Sequence, residues 1–389
     1  MYKFCFRFLL LIKVVVFLFS CVATKKISQP VASISSLKYI GGYEIPFATT
    51  FKNTKVGGLS GIDFDAKNNL YYLISDDRND INPVRFYTAK IFFNKNKIDS
   101  FIFIDVKNIL QPDETIYPNR SQNKFKNPDP EAIRYNPVSR QLVWSSEGEK
   151  VVKENDTTLV NPAIICINPA GKYIDSFALP ANLKIQAIEK GPRRNGALEG
   201  MTFADNYKTL FVNIEEPLYE DGPRAALTEN KAFIRIYKFD VAGPQAAASK
   251  KSTAQYAYKL EPVAYAPKPE NTFILNGVPD ILSLGNNKLL VIERSFSTGT
   301  LPCTIKLFIA DLNVAHDVSL IALMNNKSFI PATKKLLLNM DELGIYIDNV
   351  EGVTFGPLLP NGHKTLLFIS DNNFAFLQRT QVLLFEVIE

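Results

Sequence analysis

Histidine is almost missing from this 389-residue chain, which holds only His316 and His363. Neither stands at ligand spacing from a cysteine or a second histidine, so a zinc or copper centre built on imidazole and thiolate is disfavoured. A serine triad fails on the same ground. "GGLSG" from Gly57 looks like a nucleophile elbow, yet G-x-S-x-G would need glycine where Ile62 stands. There is no G-x-x-x-x-G-K-[ST] loop, no dinucleotide fingerprint and no Arg-His-Gly phosphatase signature. Cysteine is sparse too. Beyond Cys5 and Cys21, only Cys166 and Cys303 remain, in separate apolar stretches that suit buried small hydrophobes better than a disulfide. Basic blocks are absent, because lysine alternates with acidic residues; nucleic acid is therefore not an expected partner. Helical periodicity is hard to find after the first residues.

What is present begins with a targeting pattern. Lys3 and Arg7 precede an apolar run, and Leu18-Phe19-Ser20-Cys21 closes it, as in a secretory signal with a lipobox. Lys13 interrupts the run, leaving a hydrophobic core too short to cross a bilayer. The expectation is a signal over 1–20, lipidation of Cys21, a small and polar tether over 21–36, and a domain over 37–389. That places the chain at the bacterial cell envelope, touching the membrane through its lipid alone. An ordinary cleaved signal, with Cys21 incidental, is the alternative. Cleavage removes Lys3, Arg7 and Lys13, so Lys+Arg falls from 44 to 41 against 39 acidic residues.

Laid on itself, the domain repeats. "GGLSGIDFDAKNNLYYLISDDR", "DPEAIRYNPVSRQLVWSSEGE", "ALEGMTFADNYKTLFVNIEEP", "GVPDILSLGNNKLLVIERSFS" and "NVEGVTFGPLLPNGHKTLLFISDNN" align on Ser60, Glu131, Glu199, Asp280 and Glu351. Each joins two apolar runs through Asn/Asp/Gly/Lys turn chemistry, the mark of a β-hairpin. Further strand-like runs follow the first four hairpins, including "FYTAKIFF", "AIICINP", "AFIRIYKFD", "IKLFIADL" and "DVSLIAL". The segments 111–126, 181–194 and 243–255 read as loops. Four antiparallel strands per unit predict an all-β propeller of about five blades. The fifth unit lacks a fourth strand, and "LKYIGGYEI" near the N-terminus has no unit of its own; pairing them would close the ring. Six blades would follow if 318–343 hid a degenerate unit. Two β-sandwiches are the other reading.

The acids recur with the hairpins. Glu131 pairs with Glu147, Glu199 with Glu215, Asp280 with Glu293 and Glu351 with Asp371, while Ser60 precedes Asp76. The first residue of one hairpin strand and the last of the next share an edge, so these carboxylates should meet at one mouth of the ring. Such crowding is unfavourable alone. Ca²⁺, a hard cation taking six to eight oxygens, suits the set, and Arg78, Arg134 and Arg294 beside the acids suit an anion. The bland reading gives each acid a backbone N–H or a neighbouring arginine instead.

Together the quoted segments resemble the phytase-like family described by esterase-like activity, over nearly all of 37–389. That family is regarded as related to the β-propeller phytases. "DPEAIRYNP" is similar to their Asp-Pro-Ala-Ile-type segment but lacks its histidine, and "EG…LFVNIEE" is similar to their acidic motif at Glu199, Glu215 and Glu216. The resemblance implies calcium dependence and hydrolysis of a phosphoester or related ester. The resulting expectation is a monomer acting on a small molecule, with Glu131, Glu199 and Glu215 catalytic. A non-catalytic, metal-stabilised binding propeller and a lactonase-like enzyme are the alternatives.

Overall fold

The computed structural model describes residues 33–228, 231–241, 250–326 and 328–389. The signal and Cys21 lie outside the described residues. Each repeated hairpin forms the inner pair of an antiparallel sheet. Blade 1 runs outward through Leu59–Asp65, Leu70–Ser75, Arg85–Phe93 and Ile98–Asn108. Blade 2 uses Pro130–Asn136, Gln141–Ser146, Ala163–Ile167 and Tyr173–Ser176. Blade 3 uses Leu198–Ala204, Thr209–Ile214, Phe233–Asp240 and Ser252–Lys259. Blade 4 uses Ile281–Gly285, Lys288–Ser297, Thr304–Asp311 and Thr333–Asn339. Blade 5 uses Asn349–Gly356, Thr365–Asp371 and Thr380–Ile388.

Ser36–Ile45 supplies the missing outer strand of blade 5. It pairs antiparallel with Thr380–Ile388, from Ser36 opposite Ile388 to Ile45 opposite Thr380. Inner strands of successive blades lie side by side all the way round. The result is a five-bladed propeller closed by its first strand, which covers the open edge of Thr380–Ile388.

The core explains the sequence pattern. Apolar side chains pack between blades: Tyr72, Ile74 and Phe86 of blade 1 meet Ile133, Leu142 and Trp144 of blade 2. Leu367, Ile369 and Val382 of blade 5 likewise meet Leu59, Tyr71 and Leu73 of blade 1. An inner strand is covered on both faces, so Thr209–Ile214 is buried at every position and reads as a continuous apolar run. The hairpin turns follow local chemistry. Asn286 and Asn287 both take positive φ, as a two-residue turn demands. Asp65 Oδ1 accepts from the Lys67 and Asn68 amides, and Asn136 Oδ1 from those of Val138 and Ser139.

Four expectations need correction. Segment 318–343 hides no sixth unit, and "DVSLIAL" is not the outer strand of blade 4; Thr333–Asn339 is. Asp317 Oδ1 accepts from the Gln255 and Ser319 amides, and Val318 and Leu323 pack with Ala257 on the edge of blade 3. The alternating apolar residues there cover an edge instead of forming a ladder. The loop reading of 243–255 fails at its end, since strand begins at Ser252. The tether reading overlaps the fold at Ile34, which is already buried in the core shared by blades 4 and 5.

Candidate functional site

The turns lie at one face of the ring, so the open ends of the inner hairpins lie at the other. There the ladder breaks register at the aligned positions. Shifts fall between Leu59 and Gly61, Pro130 and Ile133, Leu198 and Met201, and Val350 and Gly352. Ser60, Glu131, Glu199 and Glu351 sit inside these bulges, which re-aim a side chain out of the pleat. Blade 4 has no bulge at Asp280; its irregularity falls later, between Ser283 and Gly285.

Glu131, Glu199 and Glu351, but not Ser60, line a cavity of about 460 Å³ on the axis, with Asp76, Glu147 and Glu215 also in its wall beside Arg78 and Arg294. Asp371 is fully buried behind it. Gly58, at φ +60, allows the approach of Asp76, because a Cβ there would lie 1.9 Å from Asp76 Oδ1. Asp129, Glu131 and Glu147 each offer an oxygen within 4.8 Å of the others, and this cluster could hold a metal ion.

Charge is unbalanced in this cup. Burial, followed by Glu199, Asp129 and Glu147, pushes the Glu131 carboxyl well above its usual range. Burial and Glu215 do the same to Glu199, and burial and Asp129 to Glu147. Asp76 is raised by burial and Glu351, and Asp371 by burial and Asp76. Burial lifts Asp129 to about 6 against the pull of Arg78. Asp371 Oδ2 is buried without a hydrogen-bond partner. Arg294 donates to Glu215 Oε1 at 2.5 Å and also to Glu351 and Asn349. Arg78 pairs with Asp129 and, at 3.1 Å, with Glu149.

Three expected site residues stand elsewhere. Arg134 and Asp280 meet each other deeper on the axis, with Arg134 Nη2 2.6 and 2.7 Å from the two Asp280 oxygens. Arg134 Nε donates to the Met201 carbonyl at 2.5 Å, and its Nη1 to that of Ile62. Asp280 Oδ2 accepts from the Val353 amide at 2.8 Å. One ion pair thus touches the inner strands of all the blades and plugs the channel. Its members are spent on each other, so Arg134 is not free for an anion nor Asp280 for a metal. Glu293 is likewise consumed outside the cup. It accepts from Tyr258, the Glu261 amide, Asn276 and Lys334. The bland reading of strand-end acids holds for Asp280 and Glu293. Ser60, the odd member of the repeat, donates to the Glu131 carbonyl at 2.6 Å.

Sequence reasoning passed over Asp129, Asn349 and Glu149. Asp129 and Asn349 each precede an anchor acid by two residues, the strand period that shares a face, and this was a usable signal. Asn349 holds Glu351 Oε1 at 2.7 Å. Cys166 and Cys303 are both free and buried, and burial pushes the Cys303 thiol up to about 11 although it borders the cup.

A family model for phytase-like proteins, described as the esterase-like activity of phytase, matches residues 54–374. The chain belongs to this phytase-like family. The match spans every inner hairpin, so the acidic cup lies within the phytase-like region. No curated protein matches the chain. Solved structures similar to it include the periplasmic gluconolactonase PpgL of Pseudomonas aeruginosa, at 10% identity over 86% of this chain and 90% of that one, TM-score 0.38. An endo-1,4-β-xylanase from Bacteroides thetaiotaomicron matches at 9% identity over 85% and 91%, TM-score 0.41. A glycoside hydrolase that targets β-1,2-mannosidic linkages in Candida mannan, from the mannoside phosphorylase family, matches at 10% over 92% and 96%, TM-score 0.45. None of these likenesses bears on the chemistry of the cup.

Proposed function

We propose that this phytase-like propeller is a calcium-dependent hydrolase of a phosphoester or related ester, acting as a monomer at the bacterial cell envelope, where a lipid on Cys21 anchors it. One observation carries the catalytic reading. Asp129, Glu131 and Glu147 bring oxygens within 4.8 Å of one another inside a cavity that also holds two arginines. Carboxylates so close in a low-dielectric site oppose one another's ionisation, and a hard cation removes that cost. The donor set is all oxygen, and the raised Cys303 thiol offers no thiolate, so calcium fits better than zinc. When bound, the ion supplies Lewis-acid polarisation of an ester oxygen and a water of lowered pKa.

The chain's own residues complete the site. Arg78 and Arg294 line the cavity, which Arg134 does not, and share their guanidinium groups between the carboxylates they already pair with and anionic oxygens of the substrate. Glu215 and Glu351 fix the Arg294 guanidinium between them. Glu199 is half-buried, and no hydrogen bond among the described residues reaches its carboxyl oxygens. Its raised range suits a group that passes a proton between attacking water and leaving oxygen near neutral pH.

Phosphate release from a phosphoester panel, with and without chelator, tests this reading. Glu199→Gln should abolish calcium-dependent turnover and leave the fold intact; unchanged turnover would remove Glu199 from the site. Calcium binding without hydrolysis of any phosphoester or carboxylic ester would favour a binding propeller.

A further inference from the structure

Blade 4 differs from its neighbours above the sheet. Its second strand, Lys288–Ser297, has ten residues, whereas Leu70–Ser75, Gln141–Ser146 and Thr209–Ile214 have six. The extension pairs with an added strand, Ile274–Gly277, found in no other blade among the described residues. In that pairing Leu275 stands opposite Phe296, and Gly277 opposite Arg294. Residues two apart on a strand share a face, and so do directly paired residues. Arg294, Phe296 and Leu275 therefore share one face, and all three line the cup. The other face is occupied: Glu293 accepts from Asn276 at 2.8 Å, and Ser295 Oγ from the Ala264 amide at 2.9 Å. Gly277 is glycine because a Cβ there would lie 2.6 Å from Glu215.

The added strand pair thus places an apolar wall beside the arginine of the site. Leu301, 69% exposed, continues the wall, and Phe273, 52% exposed, stands against Phe296 with ring centroids 6.1 Å apart. Phe296 also packs against the core shared by blades 4 and 5, whereas Leu301 and Phe273 stay exposed at the edge of the charged cavity, as the rim of a binding surface does. The charge of the cup bears on the same question. Asp76, Asp129, Glu131, Glu147, Glu199, Glu215 and Glu351 outnumber Arg78 and Arg294, and a single divalent ion does not reverse that balance. A polyanion would meet repulsion there.

Resting on the hydrolase reading above, we infer that the substrate is an amphipathic monoester, its ester head held by Arg294 and by the cation that the acidic cluster would bind, and its apolar group laid over Phe296, Leu275 and Leu301. For a phosphate monoester, water oxygen bonds to phosphorus, the bond to the alkyl oxygen breaks, and the alcohol leaves with one proton of that water. The apolar wall holds the leaving group. A multiply phosphorylated polyol offers nothing to this wall and brings the wrong charge to the cup.

The test compares octyl phosphate, glycerol phosphate and inositol hexakisphosphate with the full chain and calcium. The expected kcat/KM for octyl phosphate exceeds that for glycerol phosphate by about tenfold, since a few buried methylenes discriminate to that degree. Leu301→Ser, at an exposed position that does not threaten folding, and Phe296→Ser should each draw this ratio towards one. Equal turnover of the two, or preference for the hexakisphosphate, overturns the inference and leaves the hydrolase reading standing. If none is turned over, the phosphoester form of the hydrolase reading falls, and calorimetric affinities for octyl against methyl phosphate still decide the wall. Tighter octyl binding that Leu301→Ser abolishes supports it, and equal affinities overturn it.

Discussion

Two clusters of buried charge lie on the same axis of this propeller, and they differ in balance. In the plug, Asp280 faces Arg134, and its oxygens also accept amides from blades 4 and 5. In the cup, carboxylates face one another. Asp371 Oδ2 has no partner, and Glu131 and Glu199 have no hydrogen bond to their carboxyls among the described residues. Both arise from the same position of the same repeat. The plug is a finished structure, because each charge is met by protein. The cup is met by protein only in part, through Arg78, Arg294 and the Ala197 amide, and its Asp129–Glu131–Glu147 cluster could hold a cation. Burial of an acid does not mark a site; burial without a protein partner does.

Breaking the plug should have the largest effect. Arg134→Met leaves Asp280 buried and unpaired, a loss of about 3–5 kcal/mol of stability. A melting experiment should show this drop, and adding Asp280→Leu should recover much of it. Calcium affinity of the folded Arg134→Met variant should change little; a large change would mean that the two clusters are not separable. Glu131→Gln is the converse. It should weaken calcium binding by about tenfold or more, since affinity follows the charge of the ligand set. It should also raise the melting temperature of the metal-free chain, because one crowded charge is gone. A lower metal-free melting temperature would place Glu131 in the structural class with Asp280.

pH sharpens the contrast. Burial and Glu215 push Glu216 up to about 7, and burial pushes Asp129 up to about 6. Unfolded carboxylates titrate near pH 4. Between that range and these values the folded chain holds protons that the unfolded chain has lost, so stability of the metal-free protein should fall as pH rises from about 4 to about 7. Calcium should flatten the part of this slope that comes from Asp129, a member of the acidic cluster, and release protons on binding, while the part from Glu216, paired with Arg224 outside that cluster, should persist. Melting curves over this range with chelator and with calcium check both points. The smallest effect is expected at Glu293. Glu293→Gln should leave calcium affinity unaltered, because that carboxylate is consumed by Tyr258, Asn276 and Lys334 outside the cup.

The fold was legible because its signals are local. Turn chemistry such as Asn286-Asn287 and runs such as "TLFVNI" mark each hairpin, and the unpaired "LKYIGGYEI" pointed to ring closure. The outer edge of blade 4 was not legible, since alternating apolar residues at 317–323 look alike whether they pair or cover an edge. The site was half legible. Spacing brought Glu131, Glu147, Glu199, Glu215, Glu351, Asp371 and Asp76 to one end of the ring, and the structure brings Arg78 and Arg294 among them. Spacing could not separate Asp280 from the rest, because its partner Arg134 is far away in sequence and joins it only when blades 2 and 4 face each other across the axis. Nor did spacing show the added strand Ile274–Gly277, whose pairing depends on an extension of Lys288–Ser297 that looks like ordinary strand.

Calorimetric titration of the metal-free chain with calcium near neutral pH tests the central claim most directly, with Glu131→Gln alongside. The account predicts saturable heat, a melting temperature that climbs with calcium by mass action, and a marked loss of both in the variant. No heat and no shift in the wild-type chain would contradict it.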